Sequence, residues 1–155
     1  MRPRSRILAI DPGSVRLGLA ISDTEHRLAS PLTTYTQRDP HQDAAFLKTI
    51  IAEEEVALIV IGLPIHEDGS EGAQAKAARV FGAWVHEATG VPCVFYDERF
   101  TSFQADVLLD DIGLTKKKRK ARRDRVAAQI LLQTYLDETL NKAQGQPTLG
   151  FDPGS

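Results

Sequence analysis

Residues 56–62, with the sequence VALIVIG, constrain the fold more than any other part of this chain. The run is apolar up to its closing glycine and rich in β-branched side chains, which is typical of a central β-strand. On either side, residues 41–55 and 70–89 place apolar side chains at helical spacing, and Gly90 is a helix stop signal. A buried strand between two helices predicts a domain of the α/β class.

The other apolar runs extend this order in both directions. Strands are predicted at 6–10, 15–22, 27–35 and 91–96, and helices at 102–110 and from about 122 to 140. The basic run at 116–123, between the last two helices, is predicted as a loop. Pro31 favours an edge position for the third strand, because proline cannot donate a hydrogen bond to a ladder. The resulting order, β-β-β-α-β-α-β-α-α, predicts an antiparallel meander joined to two right-handed crossovers.

Length and composition limit the class of protein further. With 155 residues, 42% of them hydrophobic, the chain has material for one domain, which we expect at 1–142, with a disordered tail at 143–155. Its single cysteine, Cys93, excludes an internal disulfide and fits a reducing compartment. Asp11 interrupts the first apolar stretch, which is too short for a signal peptide core or a membrane span. We therefore expect a soluble cytoplasmic protein without a membrane partner, as a monomer or homodimer.

The net charge of −2 conceals a strong asymmetry. Residues 116–125 carry eight basic side chains and one acid, a net charge of +7, whereas the rest of the chain carries −9. A concentrated basic segment on an acidic body predicts a polyanionic partner such as nucleic acid. A solvated basic loop, or a lysine-rich helix start, accounts for the run equally well.

Acidic residues stand where this order brings chain segments together. Asp11 ends the first strand, Asp97 and Glu98 follow the fifth, and Asp124 opens the last helix on its apolar stripe. Ligands collect at the carboxyl ends of strands in such sheets, and grouped carboxylates repel unless cations neutralise them. Hard cations such as Mg²⁺ and Mn²⁺ take oxygen ligands. Asp11 alone, before Pro12, could instead be a turn former.

Four segments make the chain resemble a known family. They are ILAIDPGSVRLGLAISD, VIGLPIHEDGSEG, YDERFTS and RRDRVAAQILLQTYLD, spread over residues 6–137. Together they resemble the YqgF/RuvX family of bacterial ribonuclease H-like proteins, described as Holliday junction resolvases and as nucleases that mature the 5′ end of pre-16S ribosomal RNA. The resemblance implies a five-stranded mixed sheet in the order 3-2-1-4-5, with helices on both faces. It also implies a metal-binding triad that falls on Asp11, Glu98 and Asp124.

The chain departs from the family pattern at two positions. His66 stands where the family often has asparagine, and a solvent-exposed loop histidine is a simpler interpretation than a metal ligand. Arg123 precedes the last acid of the triad, where the family often has an apolar residue. Strand alternation places only one of Asp97 and Glu98 in the site. The match to the family motif selects Glu98, so Asp97 is expected to hydrogen-bond within the loop.

The resemblance predicts a hydrolase in which the triad holds two Mg²⁺ or Mn²⁺ ions and cleaves phosphodiester bonds. Maturation of pre-16S ribosomal RNA is the first expectation and resolution of branched DNA the alternative, so the partner is structured RNA or branched DNA. The candidate substrate-binding residues, which would contact phosphates, are basic: Arg16, Arg99, Lys116, Lys117, Lys118, Arg119, Lys120, Arg122 and Arg123. Arg16 and Arg99 could equally form surface ion pairs.

Two other classes of function remain open at this level. Asp11-Pro12-Gly13 before a strand also resembles the phosphate loop of sugar kinases and actin-type ATPases, but those proteins need two such domains around the nucleotide. A non-catalytic nucleic-acid-binding module would need the basic segment without three converging acids. Nucleotide-dependent stabilisation tests the first alternative, and metal-dependent cleavage tests the second.

Overall fold

The computed structural model describes residues 6–100 and 115–143, with the side chains of Phe100 and Ala143 excepted. The helix predicted at 102–110, and all of the predicted tail except its first residue, lie outside these ranges. Within them, no helix is long and apolar enough to cross a lipid bilayer.

A five-stranded mixed sheet forms the centre of the described structure, and its strand order β3-β2-β1-β4-β5 confirms the predicted order. The strands are β1 Arg6–Pro12, β2 Arg16–Ser22, β3 Ala29–Thr36, β4 Val56–Leu63 and β5 Cys93–Asp97. The first three strands pair antiparallel, and β4 lies parallel to both β1 and β5. Pro31 lies on the edge strand β3, as predicted, where the register with β2 shifts.

Helices cover both faces of this sheet. They are α1 Pro40–Glu54, α2 Ala73–Thr89 and α3 Lys116–Ala143. Alternate residues of β1 divide between the two faces: Ile7 and Ala9 pack with the apolar side of α3, whereas Leu8 and Ile10 pack with residues of α1 and α2. The carboxyl ends of β1, β4 and β5 therefore lie at one edge, between a face covered by α3 and a face covered by α1 and α2.

The basic run at 116–123 is helical, and its prediction as a loop is wrong. It forms the first turns of α3, which begins at Lys116 instead of near residue 122. The backbone N–H of Lys118 donates to the hydroxyl of Thr115 at 3.2 Å, which caps the helix. Lysine and arginine are good helix formers, so exposed basic residues extend the helix without an apolar stripe to signal it. Asp124 consequently lies inside α3 and does not open it.

Candidate active site

Asp11 lies near the end of β1, between two glycines of the neighbouring strands. It pairs with Gly18 of β2, and the parallel register that matches Ile10 with Ile61 places Gly62 of β4 on its other side. By alternation from Ala9, Asp11 faces the side of the sheet that α3 covers. The absence of side chains on both flanking glycines leaves space around this carboxyl group.

Glu98 fills the space above Gly62. It begins the 3₁₀ turn Glu98–Phe100 that follows β5. A Cβ atom added at Gly62 would lie 2.8 Å from the carboxyl carbon of Glu98, so only glycine permits this approach. The side chains of Glu98 and Asp11 are hydrogen-bonded to each other. The predicted convergence of these two acids is therefore present in the structure.

The hydrogen bond between the two acids requires a proton. Burial, followed by the negative charge of Asp11, raises the pKa of Glu98 to about 10. Burial also raises the pKa of Asp11 despite the hydrogen bond from Glu98, and the charge of Asp124 adds to that rise. Glu98 thus keeps its proton at neutral pH and donates it to the Asp11 carboxylate. A divalent cation could take the place of this proton, because it balances the negative charges of both carboxylates at once.

Asp124 lies on the other side of Asp11, over Gly18. A side chain at Gly18 would overlap the backbone carbonyl of Asp124, so this glycine is what allows α3 to cross β2 closely. The Nε of Arg16 donates to the Asp124 carboxylate at 2.8 Å. Arg16, predicted to contact phosphate or to form an ion pair, forms an ion pair here.

These contacts show how far the predicted triad is assembled. Among residues 6–100 and 115–143, no three histidine, cysteine or acidic side chains are arranged to hold a metal ion as they stand. Asp11 and Glu98 are in direct contact, while Asp124 is close enough for its charge to act on Asp11 but is paired with Arg16. The donor set is nonetheless purely oxygen, as Mg²⁺ and Mn²⁺ prefer. The residues fit a divalent cation once Glu98 loses its proton and Asp124 leaves Arg16.

Asp97 supports the turn that carries Glu98. The residue is 3% exposed, and its carboxylate accepts hydrogen bonds from the backbone N–H and the Nε of Arg99, both at 2.8 Å. The guanidinium also lies 2.7 Å from the same carboxylate. Asp97 therefore bonds within the loop, as expected, and it holds Arg99 in an ion pair beside the site.

A basic stripe runs along the exposed first turns of α3. Lys116, Arg119, Lys120 and Arg123 line a shallow depression of about 210 Å³, and their spacing places them on one helical face. The hydroxyl of Thr34 donates to the backbone carbonyl of Ala121 at 2.7 Å, which fixes this part of α3 against β3. The stripe and Asp124 consequently belong to the same helix.

His66 lies apart from the acids. It is exposed in the loop after β4, where its ring contacts Gly72 at the start of α2 and its backbone N–H donates to Ser70. An exposed loop position is what its sequence context favoured.

Gly18 and Gly62 are the residues of the site that sequence reasoning missed. Both lie inside strands, where a glycine often marks a close approach by another part of the chain. Their positions within RLGLA and VIGLP were the available signal, but which group approaches each of them depends on how α3 and β5 pack.

Two solved structures share this architecture. They are RuvC of Thermus thermophilus in complex with a Holliday junction substrate and the Fowlpox virus resolvase in complex with Holliday junction DNA. The first is 16% identical with a TM-score of 0.53, and the match covers 91% of this chain and 96% of the RuvC chain. The second is 10% identical with a TM-score of 0.56, and the match covers 87% of this chain and 99% of the viral resolvase chain. These likenesses define the class of fold, which is ribonuclease H-like.

Sequence comparison identifies the family within that class. A family model described as RuvX: Holliday junction resolvase matches residues 5–138. A relative from Rhodopirellula baltica is 42% identical over 132 residues, covering 85% of this chain and 76% of its own. Another relative, from Chloroflexus aurantiacus, is 41% identical over 131 residues, and the match covers 84% of this chain and 86% of the relative. Both carry the name "Putative pre-16S rRNA nuclease". The chain belongs to the RuvX family, which confirms the resemblance.

Proposed function

We propose that this protein is a metal-dependent nuclease that hydrolyses phosphodiester bonds during 5′-end maturation of pre-16S ribosomal RNA. The hydrogen-bonded carboxyl pair of Asp11 and Glu98 is the observation that carries this proposal. Burying two acids together lowers the stability of the folded protein when no cation is bound. The pair also lies at the sheet edge where ligands collect in this class of fold.

Each acid has a distinct part in the proposed reaction. Asp11 and Glu98 would hold a cation together once Glu98 has lost its proton, and Asp124 would complete the oxygen donor set from α3. Two bound Mg²⁺ or Mn²⁺ ions would supply an activated water and stabilise the departing oxygen. None of the three side chains attacks phosphorus.

The basic residues hold the substrate in place. The stripe on α3 binds backbone phosphates electrostatically and reads little sequence. Because the stripe and Asp124 share one helix, phosphates bound to the stripe lie at a fixed distance from the carboxyl groups. Arg16, on leaving Asp124, is placed to pair with the phosphate that enters the site.

RNA is the preferred substrate because the relatives at about 40% identity carry the name of a pre-16S ribosomal RNA nuclease. Branched DNA is the second candidate, since the family description and both solved structures concern Holliday junctions. The single cysteine, partly buried in β5, fits a reducing compartment, so we assign the activity to the cytoplasm.

The test compares an RNA carrying the 5′ leader of 16S ribosomal RNA with a four-way DNA junction, each with Mg²⁺, Mn²⁺ or a chelator. We expect metal-dependent cleavage of the RNA at a defined site and none by the Asp11→Asn variant. Faster cleavage of the junction would favour the resolvase alternative. Binding without cleavage under every condition would favour the non-catalytic module.

A further inference from the structure

A cleft of about 570 Å³ opens beside Glu98, on the side of the sheet that carries α2. Its walls come from the end of β1 and the turn after it, from Gln37 and Pro64, which directly follow β3 and β4, and from the first half of α2. Glu98 lines the cleft and is also hydrogen-bonded to Asp11. The volume falls within the range of roughly 300–1,000 Å³ that is typical of small-molecule sites.

The lining of this cleft differs from that of a phosphate site. Among the described residues that line it, Glu98 is the single charged group, and lysine and arginine are absent. Phe81 provides an aromatic surface, and Ser14, Gln37 and Gln74 provide polar side chains. Within the described part of the chain, these three side chains form no hydrogen bond. The cleft therefore offers donors, acceptors and a ring to a neutral ligand.

The position of the cleft relative to the basic stripe limits what that ligand is. The stripe lies on α3, over one face of the sheet, and the cleft lies beside α2 on the other face. The carboxyl groups of Asp11 and Glu98 lie between them at the sheet edge. A strand whose phosphates bind the stripe and then cross these acids would deliver its next nucleotide to the cleft.

We propose that the cleft is a subsite for one unpaired nucleobase of the substrate, next to the phosphate that is cleaved. This inference rests on the nuclease function proposed above. The amides of Gln37 and Gln74 hydrogen-bond the edge of the base, since an amide can both donate and accept. Phe81 contributes its ring, as aromatic residues commonly do where proteins bind single-stranded bases. A base inside a duplex cannot enter, so the enzyme requires an unstacked nucleotide at this position.

The first experiment removes one base at a time from a single-stranded RNA substrate and measures binding to the Asp11→Asn variant. We expect one position, adjacent to the cleaved phosphate, at which an abasic nucleotide weakens binding about tenfold. Equal binding of all the abasic RNAs and the intact RNA would overturn the proposal. Binding is measured without turnover, so this result is distinct from a failure of the nuclease function, which would appear as wild-type protein that cleaves no nucleic acid.

The second experiment combines base removal with changes in the cleft. Gln74→Leu removes an exposed amide, and Phe81→Leu removes the ring but keeps an apolar side chain beside Trp84. Each variant should bind the intact RNA more weakly and show no further weakening on the RNA that is abasic at the critical position. Val80→Ala, on an exposed neighbour that is outside the cleft lining, is the matched control and should behave as the parent protein. If the substitution and the removal of the base weaken binding additively, the cleft binds another part of the substrate, which would contradict a base subsite.

Discussion

The Nε of Arg16 donates to the Asp124 carboxylate at 2.8 Å, and this ion pair joins β2 to α3 immediately beside Asp11. Both side chains are about 30% exposed, so solvent screens the pair only in part. The oxygen that accepts from Arg16 cannot also coordinate a cation without losing this bond. A metal ion bound by Asp124, as proposed above, would therefore compete with Arg16 for this carboxylate.

Replacing Arg16 with alanine tests this competition. Arg16→Ala should lower the thermal stability of the metal-free protein, because Asp124 then repels Asp11 without compensation. It should also enlarge the stabilisation given by Mn²⁺, since Asp124 is free to coordinate. Thermal unfolding with and without Mn²⁺ measures both effects. Arg79→Ala, which breaks an exposed pair with Glu71, is the matched control, and a Mn²⁺ response equal to the wild type's would disprove the competition.

The raised pKa of Glu98 predicts how the stability of the metal-free protein depends on pH. Between the ordinary pKa of 4.5 and the folded value of about 10, the folded state binds a proton that the unfolded state has lost. The free energy of unfolding should therefore fall as pH rises from 6 to 9, by up to about 1.4 kcal/mol per pH unit for one proton. Denaturant unfolding in a chelator measures this slope.

Glu98→Gln isolates the contribution of that proton. Glutamine keeps a hydrogen-bond donor toward Asp11 and carries no charge at any pH. The variant should be more stable than the wild type without metal at pH 8, show a flatter pH dependence, and gain little from Mn²⁺. A pH slope unchanged by the substitution would assign the proton to another group.

Replacing each of the two glycines with alanine should affect different properties: Gly18→Ala the packing of α3, and Gly62→Ala the response to Mn²⁺. Gly18→Ala overlaps the backbone of Asp124 and should destabilise the docking of α3 by about 1–3 kcal/mol. Gly62→Ala meets the carboxyl group of Glu98 instead, at the end of a side chain that can move. It should cost less stability but reduce the stabilisation by Mn²⁺. Equal decreases of stability in both variants would contradict these assignments.

The helical conformation of the basic run predicts that its two sides act differently. Changing Lys116, Arg119 and Lys120 to alanine removes three charges from the stripe, whereas changing Lys117, Lys118 and Arg122 removes three from the remainder of the run. The first set should weaken RNA binding more and flatten its salt dependence, by about 0.7 in log–log slope for each phosphate that is no longer neutralised. Titrations of the Asp11→Asn protein at several salt concentrations measure the difference. Identical effects would mean that the run acts only through its total charge.

The sequence was informative where local patterns decide the structure. Strand alternation and the apolar runs predicted the sheet, and the position of Asp11 at a strand end predicted its place at the edge. The start of α3 could not be predicted from periodicity, because its first turns are basic and exposed and carry no apolar stripe. The pairing of Arg16 with Asp124 joins residues 108 positions apart, so it depends on the docking of α3 over Gly18. Tertiary packing, which no local pattern records, determines this ion pair.

The most direct test of the account is the single-turnover rate of RNA cleavage by Asp11→Asn at saturating Mn²⁺, compared with the wild type. Asparagine preserves the shape of the side chain and removes the charge that a cation needs. We expect a folded variant, with far-ultraviolet circular dichroism like the wild type's, whose cleavage rate falls at least about a thousandfold. Cleavage at the wild-type rate by that folded variant would contradict the account and leave Asp11 as a residue of the turn.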